Sequence, residues 1–212
     1  MKLIDKVLDF IYPKGLTCNF CGKELNEADR YFSICPDCAM RFIPVDPTEI
    51  DGIKVYSCFE YDGAIRSIVL DYKDADKPYL CEYMARYMYE NFVQNGINAD
   101  MICYVPSSPS ALRRRGYDGM KIVAEHLNKL SAIPLSNALF RREGQDQTKV
   151  AHENRSANVK DMFLSREGFT GEVLLLDDVV TTGATVTECA KTIINHGADE
   201  VVVLTFAAAR RI

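Results

Sequence analysis

The chain has 212 residues, of which 48% are hydrophobic, and its formal net charge is −5. This length fits one α/β domain with a small additional unit, and the mildly acidic charge gives no general reason to expect nucleic-acid or membrane binding. No apolar run reaches the roughly 20 residues of a membrane-spanning helix. Charged side chains interrupt the apolar N-terminal residues, so we expect no secretory signal and a cytoplasmic location.

The N-terminal part of the chain predicts a separate unit. Its apolar residues at positions 4, 7, 8 and 11 have helical spacing and predict a short amphipathic helix. Two C-x-x-C pairs follow, in a segment with few candidates for a hydrophobic core. Pro44 and Pro47 predict a linker. We therefore expect a helix and metal-binding unit over residues 1–47 and a second domain over residues 48–212.

The two cysteine pairs predict a metal site. In a reducing compartment, paired C-x-x-C motifs at this spacing indicate metal ligands rather than disulfides. Four protein ligands leave no open position, so the ion would be structural, with zinc favoured over an iron–sulfur cluster. Ordinary thiols or a redox C-x-x-C motif are the alternatives. The candidate ligands are Cys18, Cys21, Cys35 and Cys38.

Beyond the linker, the apolar pattern predicts strands that alternate with helices. The expected strands are 53–61, 101–105, 135–140, a strand beginning at 173, and 201–206; the expected helices are 64–72, 79–93, 118–130 and 184–195. Residues 141–160 are polar and basic with little periodicity, and predict a mobile loop. This alternation predicts an α/β fold, with a mainly parallel twisted sheet and helices on both faces.

The most informative segment is Val173–Thr185. Four apolar residues lead into Asp177 and Asp178, and a Thr-Thr-Gly-Ala-Thr turn then opens a helix. Open α/β sheets bind ligands at the carboxyl ends of their strands, and backbone N–H groups at a helix N-terminus bind phosphate. Two carboxylates beside such a loop suit the vicinal hydroxyls of a sugar. The segment therefore predicts a pocket for a ribose 5-phosphate, although a polar strand end is the simpler alternative for the acids alone.

Val173–Thr185 resembles the signature of type I phosphoribosyltransferases, which bind 5-phosphoribosyl 1-pyrophosphate (PRPP). The resemblance implies that fold for this domain, and it places Asp177 and Asp178 on the ribose hydroxyls as catalytic residues. It also places the loop on the 5′-phosphate, through Thr181, Thr182, Gly183, Ala184 and Thr185.

The pyrophosphate end of such a ligand would be held by the loop after an earlier strand. By position this is the loop after residue 105, where serine hydroxyls and backbone N–H groups suit phosphate oxygens. A plain turn and a solvated basic turn are the alternatives here. The candidates are Ser107, Ser108, Arg113 and Lys73.

A cysteine knuckle before a PRPP-binding domain resembles the ComF family (competence protein F-like), which is linked in bacteria to competence and DNA uptake. Four local patterns carry the resemblance: Tyr61-Asp62-Gly63 followed by Lys73, the Arg115-Gly116-Tyr117-Asp118 segment, a spaced Gln…Arg-x-x-Asn…Phe pattern, and the last strand Val202-Val203-Leu204-Thr205. The third pattern would fold over the ligand through Gln147, Arg155 and Asn158. Asp118 stands where the family has Asn, and Ser107-Ser108 replaces Val-Pro, so this chain departs from the family near the pyrophosphate loop.

The resemblance implies a phosphoribosyltransferase that uses Mg²⁺ with PRPP, transfers phosphoribosyl to a nitrogenous acceptor and releases pyrophosphate. No N-terminal cysteine nucleophile is present, since Lys2 follows Met1 and the first cysteine is Cys18. Glutamine-dependent amidotransferase activity is therefore not expected. The alternative is a non-catalytic protein that senses PRPP or a nucleotide and binds single-stranded DNA, with competence-machinery proteins as partners.

Overall fold

The computed structural model describes residues 16–73, 77–142 and 162–209. The chain divides into two compact units, Met1–Ile43 and Pro44–Ile212. The sequence predicted the boundary after residue 47, at the second proline of the linker. This is four residues beyond the boundary in the structure, which follows Ile43. The amphipathic helix predicted near the N-terminus lies outside the described residues.

The first unit is built around its cysteines. Helix α1 (Pro36–Ala39) is a single turn between Cys35 and Met40, and Thr17 pairs with Glu24 in an antiparallel bridge. Three of the cysteines are buried together with Leu25, Ile34 and Phe42. This core is small, and units with so small a core commonly need a metal ion or disulfides for stability.

The second unit contains a five-stranded sheet and a small two-stranded sheet. The large sheet has the strand order β1-β2-β7-β6-β3, and only β1 is antiparallel to its neighbour. Antiparallel β4 and β5 form the small sheet. The strands are β1 (Thr48–Ile50), β2 (Ile53–Glu60), β3 (Met101–Tyr104), β4 (Leu139–Arg141), β5 (Phe163–Ser165), β6 (Glu172–Val180) and β7 (Glu200–Ala208).

Helices cover both faces of the large sheet. They are α2 (Gly63–Lys73), α3 (Leu80–Gln94), α4 (Pro109–Arg115), α5 (Gly119–Ser131) and α6 (Ala184–Asn195). On one face α3 packs against β2 and β7 while α5 packs against β3 and β6; α6 packs against β6 and β7 from the other face. The central strands read as continuous apolar runs because both of their faces are buried.

The predicted fold class, a mainly parallel α/β sheet with helices on both faces, is confirmed. Besides the short helices α1 and α4, which the sequence did not predict, three details of the strands differ. Strands β1 and β5 were not expected, because three-residue strands carry too little periodicity. Leu135 does not begin a strand; it forms only an isolated bridge with Ile102, and regular pairing begins at Leu139.

No helix among the described residues is long and apolar enough to cross a lipid bilayer.

Candidate functional site

The two acids lie near the carboxyl end of β6 and face opposite sides of the sheet. Asp178 contacts side chains of α2, whereas the pKa of the Cys189 thiol on α6 is raised by burial and by the charge of Asp177. This is the alternation expected of neighbouring residues in a strand. The acids are therefore adjacent in the chain but have different surroundings.

Asp178 is held by the last two residues of α2. The hydroxyl of Tyr72 donates a short hydrogen bond to its carboxylate, and Lys73 Nζ lies 2.9 Å from it. The side chain of Asp178 is 14% exposed and that of Lys73 is 31% exposed. Burial, and then the nearby negative charge of Asp178, raise the pKa of Tyr72 well above its usual value, so its hydroxyl keeps its proton and remains a donor.

Asp177 is half-buried and poorly solvated. Its Oδ1 accepts a hydrogen bond from the backbone N–H of Asp178 at 2.9 Å. Burial, reinforced by the charge of Asp178, raises the pKa of Asp177 to about 8, and Lys73 opposes the rise only weakly. A carboxyl group with such a pKa changes its protonation state near neutral pH and gains from ligands that donate hydrogen bonds to its ionised form.

The Thr-Thr-Gly-Ala-Thr loop forms the N-terminus of α6. Thr181 and Thr182 are exposed, and Ala184 and Thr185 are half-buried. The first N–H groups of a helix have no acceptor within the helix, and that of Ala184 reaches only Thr182 Oγ1, at 3.4 Å. The loop before α6 is thus exposed to solvent at Thr181 and Thr182.

Gly183 caps this helix and packs closely against the hairpin of β1 and β2. Its φ is +83°, a left-handed conformation that costs other residues energy. A Cβ atom at this position would lie 2.6 Å from Cγ2 of Ile50. Any larger residue at position 183 would therefore require the side chain of Ile50 to move, in addition to adopting an unfavourable φ.

The predicted pyrophosphate loop begins beside the acids. Strand β3 pairs with β6, and the N–H of Val105 donates to the carbonyl of Leu176 at 2.9 Å, one residue before Asp177. In the loop, Ser107 donates to the Asp118 carboxylate through both its N–H, at 3.2 Å, and its hydroxyl, at 2.9 Å. Ser107 therefore lies at the same end of the sheet as the acids, with both of its donors engaged.

Ser108 and the arginines belong to a short helix, α4, that the sequence prediction treated as a turn. The Ser108 hydroxyl accepts a hydrogen bond from the N–H of Ala111 at 3.2 Å and so caps this helix. Arg113 and Arg114 are exposed in its last turn. Arg115 is half-buried, and its Nε is the one buried side-chain polar atom in the described ranges without a hydrogen-bond partner. A buried donor of this kind suits an anionic ligand better than the exposed Arg113 does.

Three residues near the acids were not predicted as site residues. Tyr72 holds Asp178, Tyr117 donates its hydroxyl to the carbonyl of Tyr72 at 2.5 Å, and Gly119 lies against the Tyr72 ring, where a Cβ would be 2.5 Å from Cε2. Sequence analysis noted Tyr117 only as part of a family pattern. The predicted loop residues Gln147, Arg155 and Asn158 lie outside the described residues.

The four predicted metal ligands come together. The sulfur atoms of Cys18, Cys21, Cys35 and Cys38 all lie within 4.8 Å of one another, and those of Cys21 and Cys35 are 3.7 Å apart. Tetrahedral bonds of about 2.3 Å to zinc place sulfurs about 3.8 Å apart. The cluster could hold one metal ion, and its spacing fits zinc.

In the first C-x-x-C pair, the surroundings of Cys18 favour its thiolate form. Burial opposes ionisation of Cys18, but N–H groups of Cys35, Cys21 and Phe20 outweigh it and lower the pKa of Cys18 to about 6. In contrast, burial and the other thiols raise the pKa of Cys38 to about 12. Four thiols this close repel one another once ionised, and a bound cation removes that cost.

Comparison with known proteins adds one relative in sequence. The chain is 26% identical over 204 residues to Competence protein F of Haemophilus influenzae, a match that spans 91% of this chain and 84% of the relative. No protein-family profile matches the chain.

Solved structures that resemble the chain do so at low identity. Glutamine PRPP amidotransferase from B. subtilis is 19% identical, with a TM-score of 0.39 over 63% of this chain and 26% of its own length. Adenine phosphoribosyltransferase from Leishmania tarentolae is 12% identical, with a TM-score of 0.38 over 77% of this chain and 94% of its own. The allosteric regulatory enzyme of purine biosynthesis is 19% identical, with a TM-score of 0.38, and the chain spans 27% of it.

A mainly parallel sheet that carries Val173–Thr185 near its carboxyl end is the arrangement that the resemblance to type I phosphoribosyltransferases predicts. Because the match with the relative spans 91% of this chain, it extends into both units. The resemblance to the ComF family predicted from the motifs is thereby confirmed.

Proposed function

We propose that the second unit binds PRPP together with Mg²⁺ and transfers its phosphoribosyl group to a nitrogenous acceptor, releasing pyrophosphate. The observation that carries the proposal is the position of Asp177 and Asp178 immediately before an open helix N-terminus. Phosphate binding to the first N–H groups of α6 would place the ribose beside the acids.

The acids have the acceptor capacity that ribose requires. A carboxylate offers about four lone-pair positions, and Tyr72 and Lys73 take up two of those on Asp178. Asp177 receives only one hydrogen bond from the described residues, that of the Asp178 N–H. Both acids can therefore accept further donors, which the 2′ and 3′ hydroxyls of a ribose supply.

The pyrophosphate would lie toward the loop that contains Ser107. Lys73 and the buried Nε of Arg115 are the cationic groups best placed by burial to meet it. Mg²⁺ binds phosphate oxygens with few protein ligands and would stabilise the departing pyrophosphate. As the bond to pyrophosphate breaks, positive charge develops on the sugar; the carboxylate of Asp178 would stabilise it electrostatically, and Asp177 would add to this when it is ionised.

In the first unit, the four cysteines would bind zinc. Their number leaves no open coordination position, so the ion would stabilise the unit rather than take part in chemistry.

Calorimetric titration tests the proposal directly. PRPP with Mg²⁺ and ribose 5-phosphate should both bind to the wild-type protein, and the double variant Asp177→Asn, Asp178→Asn should bind ribose 5-phosphate at least tenfold more weakly. Asp199→Asn, which removes an exposed charge elsewhere, serves as the control. Binding of neither ligand to the wild type would refute the proposal, and pyrophosphate release with a panel of nucleobases and amines would identify the acceptor.

A second candidate function is single-stranded DNA binding, which the resemblance to the ComF family and its link to DNA uptake suggest. It is favoured by Arg113 and Arg114, which lie exposed in one helical turn. Binding should weaken with salt, and the double variant Arg113→Gln, Arg114→Gln should lower both the affinity and the salt dependence. Unchanged binding by this variant would exclude the patch.

A further inference from the structure

We propose that Tyr72 is a positioning residue, which fixes Asp178 for ribose and links it to the loop that contains Ser107. This inference rests on the proposed function. It starts from the buried hydroxyl of Tyr72, which donates to Asp178.

Tyr72 is held in place on three sides. Its ring is buried, with 1% of the residue exposed, and it lies against the backbone of Gly119. Its carbonyl accepts the hydroxyl of Tyr117, and its own hydroxyl meets Asp178. A side chain so constrained cannot follow a moving carboxylate, so the carboxylate must take the position that the phenol sets.

The same short segment holds the other half of the site. Tyr117 and Gly119 both contact Tyr72. Asp118, which lies between them, accepts hydrogen bonds from the N–H and the hydroxyl of Ser107. One backbone segment thus fixes Tyr72, and through it the acid proposed for the ribose, together with the loop proposed for the pyrophosphate. The two subsites are therefore linked by one short covalent segment with non-covalent contacts on either side of it, rather than by a long network.

Lys73 does not replace this role. It also contacts Asp178 but is 31% exposed, and a lysine has several rotatable bonds and no fixed donor direction. Lys73 would supply charge, and Tyr72 would supply orientation.

A mutant cycle tests the inference. Tyr72→Phe keeps the ring and removes the donor. It should weaken ribose 5-phosphate binding about tenfold, the effect of losing a hydrogen bond to a charged group, while leaving the affinity for inorganic phosphate unchanged. In an Asp178→Asn background, Tyr72→Phe should have no further effect. Tyr83→Phe, at another buried tyrosine, should bind ribose 5-phosphate like the wild type.

A second variant moves the ring without altering the phenol. Gly119→Ala places a methyl group against Cε2 of Tyr72 and should reproduce the loss of ribose 5-phosphate affinity. Gly168→Ala, whose methyl would meet only a carbonyl at 3.4 Å, is the matched control.

The outcomes separate the two proposals. If the wild type binds neither PRPP nor ribose 5-phosphate, the proposed function fails, and the ribose role of Tyr72 fails with it. If the wild type binds and Tyr72→Phe binds equally well, or if the effects of Tyr72→Phe and Asp178→Asn simply add, the inference alone is overturned. Equal weakening of phosphate and ribose 5-phosphate would also overturn it, because that indicates general damage to the site.

Discussion

Replacing Asp177 by asparagine should stabilise the protein, and the gain should depend on pH. The pKa of Asp177 is about 8 in the folded protein, against an ordinary value of 3.8. Between these pH values the folded state binds more protons than the unfolded state, so stability falls as pH rises through this window and levels off above about 8. Asparagine is neutral throughout and removes this contribution.

The size of the effect follows from the two pKa values. Their difference corresponds to about 5–6 kcal/mol. We expect about half of this, roughly 2–3 kcal/mol, because Asp177 is only half-buried and water screens it in part. The asparagine oxygen can still accept the N–H of Asp178, so the variant need not lose that hydrogen bond.

Urea unfolding at a series of pH values measures this difference. The chain contains no tryptophan, so circular dichroism is a suitable signal, with the metal content held constant. Wild type and Asp177→Asn should have equal free energies of unfolding near pH 4 and differ by about 2–3 kcal/mol near pH 8.5. Asp199→Asn should show no such pH-dependent gain. Parallel curves for wild type and Asp177→Asn across the range would refute the reasoning from burial.

Two further predictions concern the helix cap and the cysteines. Gly183→Ala should lower the free energy of unfolding by about 1–3 kcal/mol, because of its positive φ and the overlap with Ile50, and should weaken inorganic phosphate binding; wild-type behaviour in both assays would contradict the proposed loop geometry. Metal analysis should find one zinc ion per chain, and Cys35→Ser should lower this number, since each cysteine contributes one ligand. Full zinc content in that variant would show that the ion lies elsewhere.

The long elements could be predicted because their patterns are local. The helix predicted over 184–195 has those bounds in the structure, and the apolar run from Val173 forms the expected central strand. The cysteine cluster was predictable for the same reason, since C-x-x-C spacing is a local constraint. Asp177 and Asp178 could be placed at a strand end from four preceding apolar residues.

What escaped prediction depends on tertiary contacts. Nothing in the sequence near Tyr72 indicates that its hydroxyl reaches an acid 106 residues away, or that Gly119 is small because a ring lies on it. The contact of Lys73 with Asp178 was not predicted either, and the contact of Lys73 with pyrophosphate stays a prediction. Helix α4 was missed because Ser108 and Pro109 read as a turn, although serine before proline is also a helix start.

The pairing of Ser107 with Asp118 affects which form of a phosphate ligand can enter. The N–H and the hydroxyl of Ser107, which could donate to a phosphate, already donate to the carboxylate of Asp118. A metal-free diphosphate at this loop would therefore be repelled by that carboxylate and find no free donor on Ser107. A diphosphate whose charge is partly neutralised by a bound cation avoids this penalty. If PRPP binds as proposed, the carboxylate of Asp118 would favour the magnesium-bound form of the ligand over the metal-free form at this loop.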